Sequence, residues 1–126
     1  MERILVACDF HGECRKAMEK AAGLTSKTSF IYILYPVPSK MDRNTYKNLK
    51  KTVREKVKQI KSQGFKCRGA VKIGEPASKI AKTAKRLRCN LIIMDYLEEG
   101  IFSQYSMEDI LQKVMDLSSL PVMIVH

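Results

Sequence analysis

Ile4-Leu5-Val6-Ala7-Cys8-Asp9 decides how this chain is read. An unbroken apolar run closed by an acid fits a strand covered on both faces, since a strand with one wet face would alternate polar and apolar residues. Leu91-Ile92-Ile93-Met94 repeats the pattern before Asp95, and Val122-Met123-Ile124-Val125 repeats it after Pro121. Ser29-Phe30-Ile31-Tyr32-Ile33-Leu34-Tyr35 is rich in β-branched and aromatic residues and reads as a further strand, stopped by Pro36 and Pro38. From Phe65 to Ile73 the chain alternates. Phe65, Cys67, Gly69, Val71 and Ile73 fall on one side, and Lys66, Arg68, Ala70 and Lys72 on the other, as in a half-exposed strand at a sheet edge.

The segments between these strands carry helical periodicity. Residues 13–24 set Ala17, Met18, Ala21, Ala22 and Leu24 on one stripe. Residues 43–63 form the longest expected helix, with Tyr46, Leu49, Val53, Val57 and Ile60 facing inward and Gly64 as its stop. Pro76 suits the start of a helix that reaches Arg88 and buries Ile80, Ala81, Ala84 and Leu87. Ser106 followed by Asp109 is a capping-box-like start for a helix burying Ile110, Leu111, Val114 and Leu117. Apolar strands alternating with amphipathic helices imply an α/β fold: an open five-stranded parallel sheet with right-handed crossovers and helices on both faces. Ligands of such sheets bind beyond the carboxyl ends of the strands, which directs attention to Asp9 and to the loop expected from Asp95 to Tyr105.

The 126 residues fit a single domain over 1–126, and a 45% hydrophobic content suits a globular protein. No apolar run approaches the roughly 18 residues of a membrane span, and the opening residues lack a signal-peptide core, so the expected location is cytoplasmic. Cys8, Cys14, Cys67 and Cys89 show no C-x-x-C pair, and His11 and His126 stand far apart, which argues against a zinc site. Four free thiols are expected in a reducing compartment, with Cys14, near a helix start, the candidate if one senses redox state.

The net charge is +10 and unevenly spread. Residues 40–72 hold twelve lysines and arginines against Asp42 and Glu55, whereas residues 95–126 hold Asp95, Glu98, Glu99, Glu108, Asp109 and Asp116 against Lys113. The long helix exposes Lys47, Lys50, Lys51, Arg54, Lys58 and Lys61. A solvated basic face is the expected reading. Binding of nucleic acid, an anionic membrane surface or an acidic protein is the alternative; nucleic acid is not favoured because no aromatic residues interleave for base stacking. The acidic cluster matches no calcium loop and is expected to be a solvated edge. With no nucleophile-elbow sequence, no metal-ligand cluster and no histidine beside a nucleophile, no catalytic residue is assigned and the chain is not expected to be an enzyme.

Taken in order along the chain, four segments resemble the universal stress protein family. Ile4 to Asp9 resembles the family's first strand with its terminal Asp. Gly74-Glu75-Pro76, Ile80 and Ala84 resemble the pattern G-x-P-x-x-x-I-x-x-x-A. Asn90 to Met94 resembles D-L-I-V-M, and Pro121 to Val125 resembles P-V-L-V-V. The resemblance implies the adenine-nucleotide alpha-hydrolase-like, Rossmann-like strand order 3-2-1-4-5 and a homodimer, often formed through the last strand. It also implies a nucleoside pocket lined at the positions of Asp9, Val37 and Gly74; read from the residues alone, Asp9 is first a helix-cap or turn residue, and Val37 and Gly74 fit loop structure equally well.

The family's ATP-binding branch carries G-x-x-G, nine residues, then G-S or G-T, glycines that let backbone amides approach phosphates at a helix start. Counting back from Pro121 without gaps puts Asp95, Glu98, Glu108 and Asp109 at those four positions. Each is acidic. At about 4 Å one like-charge pair costs roughly 1 kcal/mol in water and several times that in a less polar site, more than the helix dipole returns. The expectation is a regulatory or stress-response protein of the non-ATP-binding branch, without a cofactor or bound metal, working through an unknown protein partner. The alternative is a sensor of an adenine nucleotide or other small ligand in the same cleft.

Overall fold

The computed structural model describes residues 2–8, 14–37, 40–96 and 106–126. Elements alternate as β1 (Arg3–Ala7), α1 (Arg15–Leu24), β2 (Phe30–Val37), α2 (Arg43–Ser62), β3 (Lys66–Ile73), α3 (Pro76–Arg86), β4 (Leu91–Asp95), α4 (Met107–Leu117) and β5 (Val122–Val125). The strands form one parallel five-stranded sheet in the order β3-β2-β1-β4-β5. Strand order reverses between β1 and β4, so the switch point opens at the carboxyl ends of those two strands.

The unbroken apolar runs follow from burial on both sides. Ile4 and Val6 of β1, Ile31, Ile33 and Tyr35 of β2 and Ile93 of β4 pack under α1 and α2. Leu5, Ala7, Leu34, Ile92 and Met94 pack on the other face, under α3 and α4. β3 lies at one edge, as its alternation implied. The close approach of α2 explains Gly69: a Cβ there would stand 2.7 Å from Val53 Cγ1 and 3.0 Å from the Ile33 carbonyl oxygen. Gly64 ends α2 at φ 94°, a conformation that costs glycine little.

Several expectations about the elements need correction, among them Leu24, placed on the apolar stripe of α1 but exposed at the end of that helix. Pro36 does not stop β2, which runs to Val37 and pairs Pro36 with Lys72. β1 leaves the ladder at Leu34, whose carbonyl accepts the Cys8 amide. From Tyr35 onward β2 therefore has one neighbour and the missing proline N–H is not needed. Leu117, expected in the buried stripe of α4, is 52% exposed. The helix ends at this residue, on the rim of a groove between α3 and α4, and Met107 fills the buried stripe at the other end. Asp95, expected in a loop, is the last residue of β4 and pairs with Val125.

Candidate functional site at the carboxyl edge of the sheet

Helices in a parallel sheet begin where strands end, so this edge gathers helix N-termini with their unsatisfied amides and positive dipole ends. Each of the four helices has an amide there engaged by one of the chain's own acceptors. Asp95 Oδ1, at the end of β4, accepts the Ala17 amide of α1 at 2.7 Å, joining the two sides of the switch point. Asp42 caps α2 by accepting the Thr45 amide at 2.8 Å. Glu75 caps α3, its two oxygens accepting the Ala77 and Ser78 amides at 3.3 and 2.8 Å. Ser106 Oγ caps α4 by accepting the Asp109 amide at 3.1 Å.

These carboxyls sit in different electrostatic settings. Burial pushes Asp95 above the ordinary aspartate value, against the opposing pull of the Ala17 amide and Lys16. Burial also pushes Glu75 upward, but hydrogen bonds from Ser78 and Ala77 together with Lys113, 3.5 Å away, outweigh it and leave the carboxyl lowered. Asp42 is held down by the Thr45 amide first and by the Thr45 hydroxyl next.

The expected solvated acidic edge is therefore corrected at one position. Asp95 is half-buried and hydrogen-bonded inside the fold, because β4 carries its carboxylate straight to the start of α1. Glu108 and Asp109 are exposed in the first turn of α4, where acids oppose the helix dipole favourably. Asp9, His11, Glu98 and Glu99 lie outside the described residues. Val37 and Gly74 meet at the ends of β2 and β3, the Val37 carbonyl accepting the Gly74 amide at 2.8 Å. Gly74 has φ 153°, and a Cβ on it would stand 2.4 Å from Lys79 Cε. Lys47, Lys50, Lys51, Arg54, Lys58 and Lys61 are all exposed along α2.

The expectation of four free thiols is also corrected. Cys8, just past β1, and Cys14, the residue before α1, form a disulfide with Cα atoms 5.3 Å apart. The left-handed backbone of Cys14, φ 57°, turns the chain into α1 and brings both cysteines under the first helix, a meeting that their spacing in sequence does not reveal. Cys67 and Cys89 are buried free thiols, pushed up to about 12 and about 11 by desolvation. Among the described residues no three or more His, Cys, Asp or Glu side chains gather as a metal site, and no helix is long and apolar enough to cross a membrane.

A doubly wound parallel α/β domain with its helix starts gathered around a β1/β4 switch point is the class that this architecture defines. The universal stress protein family model matches residues 1–126, and the chain belongs to that family of stress-response proteins. A universal stress protein from Archaeoglobus fulgidus shares the fold with a TM-score of 0.73 at 18% identity, over 100% of this chain and 94% of that one. UspA from Lactobacillus plantarum does so with a TM-score of 0.75 at 15% identity, over 99% and 97%. The Archaeoglobus fulgidus protein in complex with dAMP gives 0.69 at 18% identity, over 100% and 98%. No curated protein matches the chain.

Proposed function

We propose that this chain is a non-enzymatic regulatory protein of the universal stress type that acts in the cytoplasm through protein contacts and does not bind ATP in the manner of the family's nucleotide-binding branch. One domain over residues 1–126 and a homodimer complete the reading. β5 supports the dimer: it is the edge strand opposite β3, and its four apolar residues are each left half-buried.

The observation that carries the reading is the Asp95 carboxylate at the start of α1. By its place in the chain Asp95 stands where the nucleotide-binding branch has its first phosphate-loop glycine. A carboxylate there adds bulk where backbone must approach phosphate, adds like charge, and engages an amide of a neighbouring helix. At the start of α4, Glu108 and Asp109 add charge of the same sign, and the Asp109 amide is already donated to Ser106.

A thermal-shift titration with ATP and Mg²⁺, with AMP and adenosine alongside, tests this. Ligand at about 100 times its dissociation constant would add roughly 2.7 kcal/mol, a rise of several degrees for a chain of this size. The expected result is no shift with ATP. A shift of that size refutes the reading. A shift with adenosine or AMP alone supports the second reading, an adenine-ligand sensor, which the dAMP complex of the Archaeoglobus fulgidus relative favours.

A further inference from the structure

α2 and β3 enclose a groove along one edge of the sheet. One section, about 490 Å³, has Val53, Val57, Cys67 and Gly69 among its lining residues, with Arg54, Lys58, Lys61 and Arg68. A second section of about 370 Å³ shares Val53, Arg54 and Gly69 with it and continues past Tyr46, Lys50 and Val71. The groove thus follows β3 from Cys67 to Val71. β3 is eight residues long and pairs in continuous register with β2 alone, from Phe30↔Lys66 to Val37↔Ile73. In a parallel ladder about half of an edge strand's N–H and C=O groups point away from its one neighbour. No proline or bulge interrupts the edge; lysine and arginine alone guard it.

Those cations do two things. They repel a basic strand, and they select an acidic one. Among the described residues no carboxylate lies within ion-pair distance of Lys50, Arg54, Lys58, Lys61, Lys66 or Arg68, so their charge is available to a partner. The half-buried aliphatic surface of Val57 and Val71, next to strand-edge amides and carbonyls, matches a peptide better than a nucleic acid. Tyr46 is the one aromatic residue lining the groove, and its ring already carries Lys50 Nζ at 5.5 Å from the centroid.

We propose that the groove between α2 and the open edge of β3 receives an extended acidic peptide segment of a partner protein, added to the sheet as a sixth strand. Backbone hydrogen bonds to β3 supply the pairing, alternate aliphatic side chains rest on Val57 and Val71 on the α2 face, and the carboxylates, on the opposite face of the added strand, meet Lys66 and Arg68. The inference rests on the protein-contact reading above and names the chemistry of the contact.

The test is fluorescence anisotropy with a labelled heptapeptide alternating glutamate and valine. Its competitors are the lysine–valine counterpart, the same acidic peptide N-methylated at alternate amides, and a twenty-nucleotide oligothymidylate. Lys66→Glu with Arg68→Glu changes two exposed residues of β3 on the face that meets the carboxylates; Lys47→Glu with Lys51→Glu makes the same charge change on exposed positions outside the groove lining. Circular dichroism checks that each variant is folded. The acidic peptide is expected to bind, to lose at least tenfold in affinity to the Lys66/Arg68 variant and less than threefold to the Lys47/Lys51 variant, and to lose binding on N-methylation. Absence of binding, indifference to N-methylation, equal losses in the two variants, or tighter binding of oligothymidylate overturns the proposal. A failed peptide experiment together with no ATP shift removes the groove while leaving the non-nucleotide reading in place.

Discussion

Replacing Asp95 by alanine and, separately, by asparagine separates what its carbonyl oxygen does from what its charge does. Ala17 is fully buried, and its amide is one of the first-turn donors that the helix itself leaves unpaired; Asp95 Oδ1 is its acceptor at 2.7 Å. Alanine removes the acceptor and leaves a buried N–H, which costs about 1–3 kcal/mol, offset in part by removal of a partly desolvated charge. A net loss of about 1–2 kcal/mol follows, or a fall in Tm of about 3–8 °C for a domain of this size.

Asparagine keeps an oxygen at the same place and discards the charge, so its stability at pH 7 is expected within about 0.5 kcal/mol of the parent. The pH dependence gives a second readout. Burial raises the folded-state pKa of Asp95, so the folded protein holds its proton more tightly than the unfolded chain does. The stability linked to that proton is present in full below the ordinary aspartate value and is lost as pH rises through the elevated folded value. Asp95→Asn lacks this acid-side gain. Urea unfolding across mildly acidic to neutral pH measures both effects. An alanine variant as stable as the parent, or an asparagine variant as damaged as the alanine one, refutes the assignment of Asp95 as the cap of α1.

Gly69→Ala is expected to destabilise by about 1–3 kcal/mol, because its Cβ would meet Val53 Cγ1 at 2.7 Å and backbone at 3.0 Å; an unchanged urea midpoint would mean that α2 sits farther from β3 than described. Glu75→Ala removes the α3 cap and is expected to cost about 1 kcal/mol near neutral pH. Because the folded pKa of Glu75 is lowered, that difference shrinks as pH falls through it, and a difference independent of pH contradicts the cap. Reducing Cys8–Cys14, which closes a loop with a sequence separation of 6, is expected to lower stability by about 2 kcal/mol, read as a drop in Tm on adding a phosphine reductant. Under native, oxidised conditions Cys67 and Cys89 are expected to resist iodoacetamide, being buried with thiols pushed up to about 12 and about 11, and to react only after unfolding; rapid native labelling of either contradicts their placement.

Local features of the chain were legible because they are written in local chemistry. Two-sided burial leaves continuous apolar strands, edge placement leaves the alternation of β3, and caps leave Ser106 and Gly64 in plain view. What stayed hidden depends on contacts across the fold. Pro36 looked like a strand end because the departure of β1 from the ladder is not visible from β2 itself. Cys8 and Cys14 looked unpaired because the end of β1 and the start of α1, which hold them, approach each other only in the fold. Asp95 and Ala17 are 78 residues apart, so an acid that reads as part of a loop serves as the cap of a distant helix. Of the other acids expected near the phosphate position, Glu108 and Asp109 take their places at the α4 start, while Glu98 lies outside the described residues.

Acids at the phosphate-loop positions are proposed to keep ATP out. Equilibrium dialysis against labelled ATP with Mg²⁺ checks this, using the parent chain beside a variant carrying Asp95→Gly, Glu98→Gly, Glu108→Gly and Asp109→Ser. Retention on the parent at millimolar ligand is expected to stay at the background of a protein-free chamber, and the variant is expected to retain at least tenfold more than that background. ATP retained by the parent with a micromolar dissociation constant would contradict the proposal.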